Sequence, residues 1–321
     1  MFGLQGLTYQ NKMTLNIAGR QFEVDRNLGA GAFGAVYKVR ELSCGRVFAV
    51  KQIQVTGEFD LKNVNREIQA LKACVNHRGI VTLFEVGFVG QKVLILMEYC
   101  EGGNLNSRLA KTVANEDRDL RWMSELADAV RFLHSKGIVH RDLKPENVLL
   151  TSNDVIKLGD LGLAREYTSL KHRCIITNQA LLQIMSDYYM GTGAGTIPWI
   201  APEVFKGHYK ETADVFSLGA IFYTILVRSY IRIAGEKYFG GFVTVNGQWY
   251  GIGEAMSKSL PFQLSLHRMK RSRKELLLSM LQYDPKERPS AGEVYRDVED
   301  IRGNMVSLTD GPAVEPSNSC C

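Results

Sequence analysis

The spacing of apolar residues changes near Gly102-Gly103, and this change limits the possible folds more than any other feature of the chain. Over residues 22 to about 101, β-branched and apolar residues form short runs bounded by turns, which is typical of strands. One helix interrupts these runs, with apolar residues at helical spacing: Val64, Ile68, Leu71 and Val75. From about Leu105 the helical period dominates. The sequence therefore predicts an α+β fold, with a β-rich part before the two glycines and a mainly α-helical part over about 102–302.

Composition and charge exclude several classes of protein. Hydrophobic residues make up 45% of the chain and charged residues 23%, which excludes a disordered, collagenous or mainly coiled-coil protein. The 39 basic and 34 acidic residues leave a formal charge of only +5, so no direct nucleic-acid partner is expected. The longest apolar stretch, Val215 to Val227, is shorter than the ~20 residues of a membrane-spanning helix.

The cysteines and the first residues predict where the protein resides. Six cysteines are spaced in a way that fits neither a disulfide framework nor a zinc site, at positions 44, 74, 100, 174, 320 and 321. The start of the chain lacks the basic flank and apolar block of a signal peptide. We therefore expect an intracellular protein with reduced thiols, in the cytoplasm, the nucleus or both.

A glycine-rich stretch near the start has the spacing G-x-G-x-x-G, formed by Gly29, Gly31 and Gly34. The residues that follow, Val36 to Val39, have the composition of a strand rather than a helix, so the stretch joins two strands. Glycines allow such a loop to approach a phosphate chain closely. An ordinary glycine-rich hairpin would have the same pattern, so both interpretations stay open at this point.

Lys51 closes an apolar strand, and Glu67 follows sixteen residues later on the predicted helix. A lysine in this position is usually a solvated strand end, but Glu67 could also pair with it and hold its ammonium toward a phosphate. The order of these two residues after the glycines resembles the eukaryotic protein kinase family.

The motifs farther along the chain strengthen this resemblance. Residues 140–147 read His-Arg-Asp-Leu-Lys-Pro-Glu-Asn, which is similar to the family's catalytic loop at each defining position. The other family motifs follow in order: Asp160-Leu161-Gly162, Ala201-Pro202-Glu203, Asp214 and Arg288. The resemblance covers about residues 22–302 and implies the bilobal kinase fold, with an N-lobe of about 22–101 and a C-lobe of about 102–302. Lys144 resembles the residue that serine/threonine kinases carry there.

The resemblance implies a serine/threonine kinase that uses ATP and Mg²⁺. Asp142 would accept the proton of a substrate hydroxyl, and Lys144 would reach the transferred phosphoryl group. Asn147 and Asp160 would supply oxygen ligands to Mg²⁺. Lys51, positioned by Glu67, would hold the α- and β-phosphates. The implied structural roles are an ion pair between Glu203 and Arg288 and a contact of Asp214 with the catalytic-loop backbone.

The resemblance also implies which residues bind the rest of the nucleotide. The three glycines would cover the phosphates, and the backbone at Glu98 and Cys100 would hydrogen-bond the adenine. Apolar side chains would enclose the base: Leu28, Val36, Ala49 and Leu149. The alternative to an active enzyme is a pseudokinase scaffold that binds nucleotide or partners without catalysis.

Regulation is implied by Arg141, which precedes the predicted catalytic aspartate. In such kinases a phosphate on the activation segment pairs with this arginine and orders the segment. Thr192 is the first candidate acceptor for an upstream activating kinase, and Thr196 more closely matches a threonine that packs near the catalytic residues. Residues 169–189 form an expected insertion in this segment.

The two ends of the chain and a second insertion complete the predicted organisation. Residues 1–21 are expected to be an N-terminal extension and residues 303–321 a flexible tail. The second insertion, 228–261, contains a predicted hairpin with an Asn246-Gly247 turn, whose aromatic residues would dock a partner or pack on the C-lobe. This region resembles the PDZ–LIM-interacting kinases.

Two short segments bear on where in the cell the protein is found. Five of the seven residues from 268 to 274 are basic, which is typical of a nuclear import signal or of a solvated helix face. Cys320-Cys321 at the end of the sequence lacks a C-a-a-X pattern, and only its lipidation would give the protein a membrane partner.

Overall fold

The structure is a computed structural model that describes residues 13–31, 34–166, 198–233 and 235–309. The chain divides into two compact units. The N-terminal unit comprises the residues up to Asn76 together with Val81–Cys100, and the C-terminal unit comprises His77–Ile80 and the residues from Glu101 onward. Thr192, Thr196 and the expected insertion at 169–189 lie outside the described residues, as does the part of the expected tail after Thr309.

The N-terminal unit is built on a six-stranded antiparallel sheet in the order β1-β2-β3-β4-β6-β5. The strands are β1 (Thr14–Ile17), β2 (Arg20–Gly31), β3 (Gly34–Glu41), β4 (Val47–Gln54), β5 (Leu83–Val89) and β6 (Lys92–Glu98). Side chains from five of these strands form a buried apolar cluster: Ile17, Phe22, Val39, Phe48, Val50, Leu94 and Leu96. Its β-branched and aromatic residues suit a pleated surface with one buried face.

One helix, α1 (Glu58–Ala73), lies between β4 and β5 in the sequence. Its apolar residues Val64, Ile68 and Leu71 are 4%, 5% and 1% exposed and form the buried face of the helix. Val75, the fourth residue of the predicted stripe, lies beyond the end of the helix and is 40% exposed. Acidic residues occupy its first turn and Lys72 its last, which complements the helix dipole.

The C-terminal unit is mainly helical. In its described residues the helices are α2 (Leu105–Lys111), α3 (Glu116–Ser135), α4 (Glu211–Val227), α5 (Ile252–Ser257), α6 (Arg271–Met280) and α7 (Ala291–Thr309). Helix α4 is apolar around most of its circumference and is buried from Ala213 to Ile225, which makes it the centre of this unit. Helix α3 packs against α7 and also contacts α4. The predicted α+β class is confirmed, and no helix among the described residues is long and apolar enough to cross a bilayer.

Short strands complete the C-terminal unit. A three-stranded sheet joins β7 (Gly103–Asn104), β9 (Val148–Leu150) and β10 (Ile156–Leu158), and β8 (Ile138–Val139) pairs with β11 (Arg165–Glu166). After α4 come two hairpins, β12 (Tyr230–Ile233) with β13 (Glu236–Phe239) and β14 (Phe242–Val245) with β15 (Gln248–Gly251). The predicted Asn-Gly turn joins β14 to β15, with φ angles of 49° and 78° at the two residues, as a type I′ turn requires. The hairpin buries Phe242, Val243 and Val245, so packing on the unit accounts for these apolar residues.

Two predicted boundaries need correction. Strand β1 lies within the expected N-terminal extension but pairs with β2 over its whole length, so the sheet begins before residue 22. Helix α7 continues to Thr309, so residues 303–309 are helical rather than part of a flexible tail. Gly303 and Asn304 directly follow residue 302 and are typical of a helix end, which explains why the sequence pattern alone placed the end of this helix too early.

Ion pairs bind distant segments of the C-terminal unit. Glu203 and Arg288 form the predicted pair, with Nη1 and Nη2 of the arginine 2.6 and 2.8 Å from the two carboxylate oxygens. In the basic run, Lys270 lies 2.7 Å from Glu116 of α3, and Arg273 is buried and pairs with the same carboxylate. Part of the run is therefore a structural ion-pair network rather than a freely solvated face.

Candidate active site

Lys51 and Glu67 form a buried ion pair in the N-terminal unit. The Lys51 Nζ lies 2.7 Å from the Glu67 Oε1, and the two residues are 4% and 3% exposed. Strand β4 carries the lysine in the middle of the sheet, and the buried face of α1 carries the glutamate. Because a buried ammonium is costly without a partner, this arrangement is not that of a solvated strand end.

The glycine-rich stretch is a strand-to-strand connection, as its composition predicts. Gly31 pairs with Gly34 at the end of the β2–β3 ladder, and Gly29 pairs with Val36. At Gly34, φ is 116° and a Cβ atom would lie 2.2 Å from the carbonyl oxygen of Gln52. This position therefore requires glycine for close backbone packing. A Cβ atom at Gly29 would have no heavy atom within 4 Å, so space remains on that side of the strand.

The residues predicted to enclose a base differ in exposure. Leu28 is 41% exposed, Val36 is half-buried, and Ala49 is 8% exposed. In the register of the sheet Val36 is opposite Lys51, and Ala49 is opposite Met97, so the strands bring these residues to neighbouring positions. Leu149 lies on β9 in the C-terminal unit and is half-buried.

The segment predicted to contact adenine begins at the end of β6. The backbone N–H of Glu98 donates to the Thr82 carbonyl at 2.9 Å, so a bound base cannot use this N–H. Cys100 is 8% exposed, so its side chain is buried.

Asp142, Lys144 and Asn147 converge in the C-terminal unit. The Lys144 Nζ lies 2.8 Å from the Asp142 Oδ2, and the Asn147 Nδ2 donates to the same oxygen at 3.0 Å and to the Asp142 carbonyl at 2.8 Å. All three residues are buried, with exposures of 6% to 8%. The carboxylate is thus held by an ammonium and an amide, which fix its direction.

Asp214 of α4 holds the backbone that carries these residues. Its two carboxylate oxygens accept hydrogen bonds from the backbone N–H groups of His140 and Arg141, at 2.7 and 2.9 Å. Arg141 has a left-handed φ of 71°, which a non-glycine residue adopts only under local constraint. The predicted contact of Asp214 with this backbone is confirmed.

Two further residues hold Asp214, and the sequence reasoning missed both. The Tyr209 hydroxyl donates to Oδ1 at 3.0 Å, and the His134 Nε2 lies 3.0 Å from Oδ2. Burial alone would raise the pKa of Asp214, but the hydrogen bond and charge of His134 lower the pKa on balance. Burial raises the pKa of Tyr209 well above its usual value, so this hydroxyl stays protonated and donates. Neither residue belongs to a motif that predicts this contact.

Asp160 is placed next to Asn147 by the backbone. The N–H of Gly159 donates to the Asn147 carbonyl at 2.9 Å, and Asp160 itself has a left-handed φ of 52°. The Asn147 amide nitrogen is used by Asp142, which leaves its amide oxygen as the group to bind a cation. The described residues contain no cluster of three potential metal-ligating side chains. A Mg²⁺ ion that is also bound by phosphates needs only one or two protein oxygens, so Asn147 and Asp160 fit it.

Glu146, in the same loop, has a carboxylate oxygen that is buried without a hydrogen-bond partner. Burial raises the pKa of this carboxyl, while the nearby Lys144 charge lowers it less strongly. A buried carboxylate oxygen without a hydrogen-bond partner favours a cationic group from outside the loop.

Comparison with known proteins agrees with this geometry. Residues 22–298 match the family model described as the protein kinase domain. The chain therefore belongs to the protein kinase domain family.

The chain is also similar to individual kinases of plants. CBL-interacting protein kinase 28 of Oryza sativa subsp. japonica is 30% identical over 281 residues, which cover 86% of this chain and 58% of the relative. CBL-interacting serine/threonine-protein kinase 5 of Arabidopsis thaliana is 35% identical over 212 residues, which cover 64% of this chain and 44% of the relative. The chain spans about half the length of the curated relatives it matches. These relatives give no support to the resemblance to PDZ–LIM-interacting kinases.

Proposed function

We propose that this protein is a serine/threonine kinase that transfers the γ-phosphoryl group of ATP to hydroxyl groups of protein substrates. The observation that carries this proposal is the arrangement of Asp142, Lys144 and Asn147, in which a buried carboxylate is oriented by an ammonium at 2.8 Å and an amide at 3.0 Å. The serine/threonine kinases among its relatives support the same activity.

The chemistry of phosphoryl transfer explains these residue types. The protein must align the acceptor hydroxyl and neutralise the charge of the phosphates, and little covalent chemistry is required of it. Asp142 would accept a hydrogen bond from the hydroxyl and take its proton. Lys144, beside the same carboxylate, would stabilise the charge on the transferred group. Lys51, held by Glu67, would bind the α- and β-phosphates.

The remaining contacts with the nucleotide follow from the same proposal. Asn147 and Asp160 would hold Mg²⁺, which when bound neutralises charge on the phosphate oxygens. The glycines at 29, 31 and 34 would cover the phosphates. The carbonyl of Glu98 and the backbone at Cys100 would bind the base, and an apolar set would enclose it: Leu28, Val36, Ala49 and Leu149. Glu146 would favour substrates with a basic residue near the acceptor.

Replacement of the proposed base tests the function. Asp142→Asn keeps the size of the side chain but removes the charge, and we expect phosphorylation of a generic protein substrate with Mg·ATP to fall by at least ~100-fold. Asp117→Asn is a matched control, because Asp117 is exposed on α3, and it should be as active as the original protein. If the original protein binds ATP but transfers no phosphoryl group, the pseudokinase alternative is correct.

We also propose regulation by an upstream kinase that phosphorylates the activation segment. Arg141 supports this, since it directly precedes Asp142 in the same loop and its guanidinium lies 5.0 Å from the centre of the Tyr209 ring. A phosphate on Thr192 would supply charged acceptors for this arginine. Thr192→Ala should therefore lower the activity of protein treated with the upstream kinase, and unchanged turnover would contradict this part of the proposal.

For location, the proposal is an intracellular protein whose exposed basic residues at 268–274 act as a nuclear import signal. Arg268, Lys270, Arg271 and Lys274 are exposed, but Lys270 pairs with Glu116, as does the buried Arg273. Replacing Arg268, Arg271 and Lys274 with Gln, which leaves the two pairs with Glu116 intact, should reduce nuclear accumulation in fluorescence microscopy without lowering the melting temperature. Unchanged nuclear accumulation would mean that these residues only solvate the helix.

A further inference from the structure

The segment Pro198–Ile200 lies against the proposed catalytic base. Trp199 and Ile200 line a small cavity together with Asp142, and both are buried, with exposures of 3% and 4%. On the proposed function, a substrate hydroxyl must reach Asp142, so a segment packed against this residue limits where the acceptor can bind. The residues that fix the position of this segment therefore affect phosphoryl transfer to the acceptor.

Two glycines in the part of the chain after α4, Gly241 and Gly253, lie close to the backbone of Pro198–Ile200. A Cβ atom at Gly253, in the first turn of α5, would lie 1.9 Å from the carbonyl oxygen of Ile200. A Cβ atom at Gly241, just before β14, would lie 3.0 Å from the carbonyl oxygen of Pro198. Neither glycine has a left-handed backbone. Glycine is required at these positions because a side chain would clash with the neighbouring carbonyl oxygen. The N–H of Ile252 donates to the Gly241 carbonyl at 2.9 Å, which links the two approaches.

Helix α4 supplies a third contact. The Ser217 hydroxyl donates to the carbonyl oxygen of Trp199 at 2.7 Å. Each of three consecutive carbonyl groups is thus close to a different residue. Gly241 lies near the Pro198 carbonyl and Gly253 near the Ile200 carbonyl, while Ser217 of α4 binds the Trp199 carbonyl. Because three successive peptide groups are constrained, the segment has little freedom to shift relative to Asp142.

We infer that Gly241, Gly253 and Ser217 are positioning residues that fix the Pro198–Ile200 segment beside Asp142 and thereby determine how protein substrates bind. This inference rests on the proposed function and gives the insertion at 228–261 a role in substrate binding. It does not require the insertion to contact the nucleotide. A displacement of about 1 Å in such a wall costs on the order of 100-fold in rate, because the acceptor hydroxyl loses its alignment.

Steady-state kinetics test the inference with two variants and a matched control. Gly253→Ala forces the Ile200 carbonyl to move, and we expect kcat/KM for a protein acceptor to fall about 100-fold. Ser217→Ala removes the hydrogen bond to the Trp199 carbonyl, together with the longer contact with the Ala213 carbonyl at 3.1 Å, and should lower kcat/KM about 10-fold. Gly292→Ala on α7 should have no effect, because the nearest heavy atom would lie 3.8 Å from the new methyl group. In both variants the KM for ATP and the slow hydrolysis of ATP without acceptor should stay unchanged. Equal losses in hydrolysis and in transfer would overturn the inference.

Hydrogen exchange separates this inference from the proposed function. The backbone amides of residues 199–204 should exchange at least about tenfold faster in Gly253→Ala and Ser217→Ala than in Gly292→Ala, since the carbonyl contacts that hold the segment are lost. Unchanged exchange would overturn the inference whether or not the enzyme is active. Absence of phosphoryl transfer by the original protein would instead contradict the proposed function. If Gly253→Ala does not fold, Ser217→Ala decides, because alanine is favourable within helix α4.

Discussion

Two buried carboxylates, one in each unit, hold the candidate active-site groups in different ways. In the N-terminal unit Glu67 pairs with the side chain of Lys51, and the contact joins helix α1 to strand β4. In the C-terminal unit Asp214 accepts two backbone N–H groups of the catalytic loop and is itself held by Tyr209 and His134.

The difference lies in what each carboxylate fixes. Lys51 and Glu67 have long side chains with several rotatable bonds, so their contact holds the side-chain ends without fixing the backbone of either residue. Asp214 holds peptide groups that have no side-chain freedom, and it does so from the most buried helix of its unit. The comparison indicates that the side chain of Lys51 can adjust its position, whereas the loop that carries Asp142 has a fixed backbone.

The largest effect is expected from Asp214→Asn. The amide offers one acceptor oxygen where the carboxylate offers two, so one backbone N–H is left unsatisfied and Arg141 is no longer held in its left-handed conformation. We expect kcat to fall on the order of 100-fold, and the free energy of unfolding to fall by about 2–3 kcal/mol. Enzyme assays at saturating ATP and urea unfolding measure the two quantities.

A smaller effect, on a different kinetic parameter, is expected from Glu67→Gln. The glutamine can still accept a hydrogen bond from Lys51 but no longer balances its charge, so the KM for ATP should rise about tenfold, equivalent to ~1.4 kcal/mol. In contrast to Asp214→Asn, saturating ATP should restore most of the activity.

Glu58→Gln is the matched control for this variant, since Glu58 lies on the same helix but is exposed. It should leave the KM for ATP unchanged. The distinction between the two carboxylates fails if Glu67→Gln lowers kcat and leaves the KM for ATP as it was.

The smallest effect on activity is expected at a third carboxylate, which lies outside the candidate site. Glu41 is bound by Nε and Nη2 of Arg20, at 2.8 and 2.7 Å, and this hydrogen bonding lowers the pKa of Glu41 to about 2. Since the pKa is lower in the folded protein, the stabilisation is fully present above the unfolded pKa of ~4.3 and is lost as the pH falls toward 2. Glu41→Gln should therefore lower the urea midpoint at pH 7 while leaving kinase activity unchanged.

The pH series provides the check on this last prediction. The difference in urea midpoint between the original protein and Glu41→Gln should be constant from pH 7 to 5 and should shrink below about pH 4.3. A difference that does not depend on pH would show that the glutamine disturbs packing rather than charge.

Sequence patterns predicted those parts of the molecule that depend on local spacing. The strand runs before Glu101, the buried stripe of α1 and the Asn246-Gly247 turn follow from periodicity and backbone preference. The pairing of Asp214 with the loop backbone was expected from the family motifs, and the structure confirms it.

The parts that were missed depend on contacts between distant residues. Tyr209 and His134 meet at Asp214 although they come from separate segments of the chain, and no spacing rule reports which side chains converge there. The glycines at 241 and 253 are similar, because their role depends on the carbonyl groups of residues much earlier in the sequence. The left-handed backbone of Arg141 also depends on tertiary hydrogen bonds and not on residue preference.

Strand β1 shows that a folded unit can begin before the residues that match the family model. The family match begins at residue 22, but Ile17 is fully buried in the apolar cluster of the sheet, and a Cβ atom at Gly87 of β5 would lie 3.0 Å from its Cγ2. A fragment cut at the family boundary would lose this isoleucine and the burial of its side chain, which contributes roughly 1.5–3 kcal/mol. For expression, mutagenesis or comparison between relatives, packing therefore sets the working limit of the domain at β1, upstream of the first family motif.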